Sequence, residues 1–114
     1  MGVLSTSATT MDNCIELCVK CARACEECAT ACLQEQDLQA RVKCLQILND
    51  CAQICLQATA YMARNSTFSK QHCQLCAEIC EACAVECEKF KDTHCQECAK
   101  ICRECAEACR NMAS

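Results

Sequence analysis

The sequence contains very few residues that interrupt a helix. Proline and tryptophan are absent, there is one glycine, and the aromatic residues are limited to one tyrosine and two phenylalanines. Proline and glycine are the residues that most disfavour helix interiors. Their scarcity, together with abundant alanine, leucine, glutamate, glutamine and lysine, favours long helices.

Long apolar runs and a strong positive charge are missing as well. Because the chain has no apolar stretch of about 18 residues, we expect no membrane-spanning helix. The net charge of −4 argues against a nucleic-acid-binding surface. Residues 1–10 have neither the segments of a secretion signal nor a twin arginine. We therefore expect a cytoplasmic protein with no nucleic-acid or membrane partner, comprising a short, polar, disordered leader over residues 1–10 and one domain over residues 11–114.

Cysteine, in contrast, is abundant, with 19 residues among 114. In a reducing compartment such richness indicates metal binding more often than disulfides. The cysteines form four blocks in which steps of three and four residues alternate, a spacing that places each block on one face of a helix. The blocks are Cys14, Cys18, Cys21, Cys25, Cys28 and Cys32; Cys44, Cys51 and Cys55; Cys73, Cys76, Cys80, Cys83 and Cys87; and Cys95, Cys98, Cys102, Cys105 and Cys109. Leu48 stands where a cysteine would continue the second block.

The four blocks predict four helices, at about residues 11–33, 36–64, 69–90 and 94–112. Asn65, Ser66 and Thr67 are typical of a turn, and Thr93 with Gln96 resembles a capping box at the start of the last helix. Such short connections make successive helices antiparallel. The predicted fold is therefore all-α: an antiparallel up-down-up-down four-helix bundle with a cysteine-lined core.

The cysteine spacing also predicts which metal the core binds. Two thiolates at positions i and i+4 of a helix lie close enough to share one ion, and soft thiolates select Cu(I), zinc or iron–sulfur clusters. Zinc usually takes four ligands from loops, and iron–sulfur clusters use cysteines in loops that commonly end in Cys-Pro. Cu(I) is satisfied by two or three thiolates, so multiple Cu(I) ions fit this pattern best.

Several alternatives to copper storage remain. They are an iron–sulfur electron carrier, a zinc or general soft-metal buffer, and a thiol-rich structural module that binds no metal. No pairing of a nucleophile with a base is recognisable, so we do not expect an enzyme. We expect the copper to be delivered by a copper chaperone.

Residues near the ends of the bundle extend the set of candidate ligands. Imidazole and thioether groups both bind copper. His94 is expected near Cys32, Cys44 and Cys87, at the more polar end, and we predict that it is a copper ligand. His72 and Met62 are candidate ligands at the opposite end, where Met11 and Met112 are also expected.

The repeated Cys-x-x-x-Cys and Cys-x-x-Cys motifs resemble those of a known family. They occur in Cys14-Ile15-Glu16-Leu17-Cys18-Val19-Lys20-Cys21 and in Cys73-Gln74-Leu75-Cys76-Ala77-Glu78-Ile79-Cys80. From about Cys14 to Met112, the chain is similar to the bacterial cytosolic copper storage proteins. This resemblance implies a four-helix bundle, storage and buffering of many Cu(I) ions by the core cysteines, and assembly into a homotetramer.

Overall fold

The computed structural model describes residues 10–114, which form four long α-helices and, within that range, no strand. The helices are α1 (Thr10–Cys32), α2 (Val42–Ala63), α3 (Ser69–Cys87) and α4 (Thr93–Ala113). Each helix packs on its neighbours in the sequence, and α1 packs on α4, which closes an up-down-up-down bundle. The predicted fold class is confirmed. The predicted leader lies outside the described residues except for Thr10, which begins α1.

The connection between α1 and α2 differs from the prediction. The second helix was expected from residue 36, but it begins at Val42, after turns and a short 3₁₀ helix over Leu38–Arg41. The reason is tertiary: Arg41 is 4 % exposed and binds acidic groups from two connections, so the backbone bends to carry it inward. Periodicity within one segment does not report such a contact.

Two other helix ends also depart from the prediction. The third helix ends at Cys87 rather than at residue 90. Beyond it, the amides of Lys89 and Phe90 donate to carbonyls three residues earlier, those of Glu86 and Cys87, as in tight turns. The capping box was wrong. Asp92 precedes α4 without a side-chain cap, and the Gln96 amide donates to the carbonyl of Phe90 at 2.6 Å instead.

The turn between α2 and α3 confirms the expectation for residues 65–67. Asn65 has a positive φ of 54°, a conformation that asparagine tolerates better than most residues. The amide of Ser66 donates to the carbonyl of Tyr61, and that of Asn65 donates to the carbonyl of Met62. These two bonds form a Schellman motif, which ends α2 and reverses the chain.

The interior of the bundle is built from thiols and alanines. All the cysteines are at most 2 % exposed, and Leu48, Ala58 and Met62 are fully buried among them. Small residues beside the cysteines allow the helices to approach closely; these are Ala22, Ala52, Ala77, Ala84, Ala99 and Ala106. Within residues 10–114, none of the helices has the length and apolar character needed to cross a membrane.

Candidate metal centre

The thiols of the core are free and lie within reach of one another. All nineteen cysteines are unpaired and buried. They approach from four helices because each cysteine stripe occupies the inward face of its helix, at the spacing predicted from the sequence. The result is a sulfur-lined interior, with most of the charged residues left on the outside; Asp12, Arg41 and Glu86 are the buried ones among the described residues.

Hydrogen bonds between thiols mostly join different helices. Cys18 of α1 contacts Cys109 of α4 with their Sγ atoms 3.7 Å apart, and Cys55 of α2 contacts Cys80 of α3 at 3.6 Å. Within the described residues, the thiol pair Cys76 and Cys80, at 3.9 Å, is the one hydrogen bond of 4.0 Å or less between two thiols of a single helix. Thiols of different helices therefore lie close enough to share an ion, in addition to the i, i+4 pairs within one helix that the sequence indicated.

Four-sulfur groups form where the helices converge. In each group all the Sγ atoms lie within 4.8 Å of one another. Metal–sulfur bonds of ~2.3 Å place two sulfurs up to ~4.6 Å apart on one ion, so these groups can close on a metal with small movements. They are Cys18, Cys76, Cys105 and Cys109; Cys21, Cys55, Cys80 and Cys105; and Cys21, Cys25, Cys51 and Cys102.

These four-sulfur groups weaken the case against zinc. Zinc was disfavoured because it usually takes four ligands from loops, and the cysteines of this chain were predicted on helices. Neighbouring helices together do present four sulfurs, so that reason does not separate zinc from copper. The choice of metal must rest on other observations.

His94 lies at one end of the sulfur-lined interior. Its Nδ1 is 3.6 Å from the Sγ of Cys28 and 3.5 Å from that of Cys95. Its Nε2 lies 3.3 Å from a carboxylate oxygen of Glu35. With its proton on Nε2 and directed at Glu35, the ring presents an unprotonated Nδ1 to the sulfurs, an arrangement that orients a metal-binding histidine.

The neighbours of His94 differ in part from those expected. His94 forms a group with Cys28, Cys32 and Cys95, whose ligand atoms all lie within 4.8 Å. Cys44, which was expected beside it, instead contacts Cys87 at 3.7 Å. The imidazole therefore faces the α1–α4 side of the bundle end rather than the α2–α3 side.

Arg41 closes the same end of the bundle. Its Nε donates to Asp37 at 2.6 Å, and its Nη2 lies 2.5 Å from a carboxylate oxygen of Asp92. The guanidinium carbon is 4.4 Å from the centre of the Phe90 ring, a cation–π contact. The hydrogen bond from Arg41 lowers the pKa of the Asp37 carboxyl.

Arg41 also touches the thiols directly. Its Nη1 lies 3.4 Å from the Sγ of Cys32 and 3.6 Å from that of Cys95. Arg41 was not among the predicted site residues. Its position four residues after Asp37 was a signal for an ion pair on one helical turn, but nothing in the spacing showed that the pair is folded onto the core.

The candidate ligands at the opposite end contact other parts of the protein. His72 Nε2 lies 3.3 Å from the carbonyl oxygen of Ile54, and its ring packs against Tyr61 with centroids 4.5 Å apart. Met62 is fully buried, and Met11 and Met112 pack against the core. The expected clustering of these methionines with His72 at one end stays a prediction.

Two thiols towards this end of the bundle, Cys95 beside His94 and Cys44 beside Cys87, have raised pKa values. Burial, followed by the hydrogen bond with Cys32, raises the pKa of the Cys95 thiol to about 12. Contact with Cys87, followed by burial, likewise raises the pKa of Cys44. These thiols are therefore protonated at neutral pH in the metal-free protein, and a metal must displace their protons.

Comparison with known proteins gives a consistent result. A sequence model of the family described as "Copper storage protein" matches residues 7–114. The chain is 48% identical over 76 residues to the uncharacterized cysteine-rich protein YhjQ of Bacillus subtilis (strain 168), which covers 67% of this chain and 70% of that protein.

Two solved structures extend the comparison to the fold. The Cu(I)-bound copper storage protein BsCsp3 is 45% identical with a TM-score of 0.89, and the match covers 93% of this chain and 100% of that one. A cytosolic copper storage protein from Streptomyces lividans, studied with five coppers, is 36% identical with a TM-score of 0.88, covering 91% of this chain and 92% of that one.

Proposed function

Because the chain belongs to the copper storage protein family, we propose that its thiol core stores and buffers many Cu(I) ions. The observation that carries this proposal is the convergence of buried, unpaired cysteines from all four helices into overlapping groups. A single-ion site would need two to four of these thiols, and an apolar core would need none. An interior lined by all nineteen cysteines can bind many ions at once.

The nineteen cysteines are the proposed ligands. Adjacent groups share sulfurs, since Cys21 and Cys105 each belong to two of the four-sulfur groups. A shared thiolate can bridge two ions, so about one Cu⁺ per thiolate keeps the filled interior electrically neutral. Neutrality is essential because unpaired buried charges are costly. The empty core meets the same requirement when its thiols are protonated.

His94 is the proposed ligand at the polar end. It is 26 % exposed, whereas the cysteines beside it are buried, so it is the ligand that incoming copper meets first. Glu35 orients its ring toward Cys28 and Cys95. His72 and Met62 remain candidates for the opposite end, where the ring of His72 must leave the Ile54 carbonyl before it can bind an ion.

Copper is preferred to zinc because of the family to which the chain belongs, and because two-coordinate sites use the sulfur pairs that the interior offers. The four-sulfur groups nevertheless have the ligand number of a zinc site. A zinc competition therefore belongs in the test. An iron–sulfur carrier is disfavoured because the proposed ligands lie on continuous helices rather than in loops.

The test is an anaerobic titration of the reduced protein with Cu(I) against a strong colorimetric chelator. We expect many ions retained per chain, approaching one per cysteine, and no displacement of copper by excess zinc. His94→Ala should retain nearly the same number of ions but acquire the first ones more slowly. Retention of only one or two ions by the unaltered protein would refute storage, and displacement by zinc would favour the general soft-metal buffer.

The setting of this store is also part of the proposal. We place it in the cytosol, where thiols stay reduced, supplied by a copper chaperone and acting as a reservoir rather than as an enzyme. We also propose a homotetramer, for which exposed Leu56, Phe68 and Leu75 supply apolar surface. Light scattering should give four times the chain mass of 12.6 kDa, and a monomer at micromolar concentration would contradict this.

A further inference from the structure

The thiols of the core are not connected evenly. Hydrogen bonds with Sγ–Sγ distances of 3.6 to 4.0 Å link twelve of them into one network, which we call the inner network. Its members are Cys14, Cys18, Cys21, Cys25, Cys51, Cys55, Cys76, Cys80, Cys98, Cys102, Cys105 and Cys109. The network occupies most of the length of the bundle.

A second set of thiols lies at the His94 end. Cys95 contacts Cys28 at 3.9 Å and Cys32 at 3.7 Å, and His94 completes this end group. Cys44 and Cys87 form a separate pair. Among the residues that the structure describes, the thiol contacts of 3.6 to 4.0 Å do not join the inner network to the end group or to this pair; further hydrogen bonds of Cys98, to Cys28 and Cys87, do join them.

Leu48 lies on α2 between the separate pair and the inner network. It is fully buried and lies one helical turn from Cys44 on one side and from Cys51 on the other. Cys44 contacts Cys87, and Cys51 contacts Cys80. Between these two contacts, α2 therefore places an isobutyl group in the core where the cysteine spacing would otherwise place a thiol. The thiols at this level come from the other three helices.

One group of three sulfurs has a member in each of these sets. Cys28, Cys87 and Cys98 come from three different helices, and their Sγ atoms all lie within 4.8 Å of one another. Cys28 belongs to the end group, Cys87 to the separate pair and Cys98 to the inner network. Cys98 is held in that network by its contact with Cys25 at 4.0 Å.

Building on the proposed storage function, we infer that Cys28, Cys87 and Cys98 form a three-coordinate transfer site between two copper compartments. Ions acquired at the His94 end reach the inner network by ligand exchange at this site. A Cu–S bond to Cys98 forms as the bond to Cys28 breaks, the proton of Cys98 leaves, and Cys28 regains a proton. Copper stays Cu(I) throughout, so no electron donor or acceptor is needed.

The experiment compares variants that lose one thiol at different places. Cys98→Ala removes from the proposed transfer site the sulfur that belongs to the inner network. Cys76→Ala is the matched control: it also removes one inner thiol, but its partners Cys55 and Cys80 contact each other directly, so the inner network stays connected. Leu48→Cys in the Cys98→Ala background provides a thiol at the same level from α2.

Reduced protein is mixed anaerobically with Cu(I) held by bicinchoninate, and the loss of the coloured complex is followed in a stopped-flow instrument. We expect copper uptake in two phases, a fast one at the His94 end and a slow one into the inner network. Cys98→Ala should retain as many ions as Cys76→Ala and should keep the fast phase. The slow phase, which carries the larger share of ions into the inner network, should be at least about tenfold slower, equivalent to ~1.4 kcal/mol in the barrier. Leu48→Cys should restore most of that rate.

The possible outcomes separate this inference from the storage proposal. Equal slow-phase rates in Cys98→Ala and Cys76→Ala, in chains that still store many ions, would overturn the transfer site alone. A slow phase that carries only the smaller share of ions would also overturn it, because copper would then reach the inner network without passing this level. Failure of the unaltered protein to store many ions would instead overturn the storage proposal.

Discussion

Replacing Arg41 with alanine should destabilise the reduced, metal-free bundle. Arg41 is 4 % exposed and is held by Asp37, Asp92 and the ring of Phe90. Breaking a fully buried ion pair by removing one partner costs ~3–5 kcal/mol. Here the carboxylates of Asp37 and Asp92 are 51% and 27% exposed and can be hydrated after the change. We therefore expect the free energy of unfolding to fall by about 2–3 kcal/mol.

Urea denaturation followed by circular dichroism, under reducing and metal-free conditions, measures this loss. For a slope of ~2 kcal/mol/M, the midpoint should fall by roughly 1 M. The urea midpoint of Arg41→Lys should lie between those of the unaltered protein and Arg41→Ala, because lysine keeps the charge but not the planar guanidinium that reaches both carboxylates.

Arg23→Ala is the matched control, since Arg23 pairs with Glu27 on the exposed outer face of α1. Exposed pairs of this kind contribute little to stability, so its urea midpoint should match that of the unaltered protein. A midpoint for Arg41→Ala that equals that of Arg23→Ala would refute the argument that Arg41 anchors this end of the bundle.

Three further predictions concern the core, copper uptake and the α2–α3 turn. Leu48→Ala should lower the free energy of unfolding by ~2–5 kcal/mol because it leaves a cavity, whereas Val19→Ala, at a half-exposed position, should change it little; equal urea midpoints would contradict the buried position. Because burial raises the pKa of Cys95 to about 12, copper must displace protons at neutral pH, so apparent affinity should fall as pH falls, by ~tenfold per pH unit for each proton displaced; a pH-indicator titration that detects no proton release would contradict this. Asn65→Ala should cost ~1 kcal/mol at its positive φ, and Asn65→Gly should not; equal melting temperatures for the two variants would refute the role of the turn.

The helical part of the fold was predictable because its determinants are local. The alternating three- and four-residue steps of cysteine define one face per helix, and a chain without proline offers few other places to end one. The boundaries that were missed lie in the connection before Val42 and after Cys87. Both depend on contacts with Arg41, Phe90 and Asp92, which come from separate segments.

The candidate site was predictable in its residue types but not in its groupings. Spacing along one helix shows that Cys14 and Cys18 share a face, but it does not show that both thiols contact Cys109. It places His94 near the end of the bundle without deciding that its ring faces Cys28 rather than Cys44. Side-chain neighbours across a core depend on the axial offset and rotation of each helix, which no single segment encodes.

By itself, the sequence determined that this chain forms four helices, that each presents a row of thiols, and that soft metal ions are the natural occupants of the interior. These conclusions follow from residue chemistry and from a period of 3.6 residues per turn. The tertiary structure decided that thiols from several helices form overlapping groups, that Arg41 caps the His94 end, and that His94 faces Cys28 and Cys95. Those features arise because packing brings together side chains that are distant along the chain, and the distances between them determine which sulfurs can share an ion.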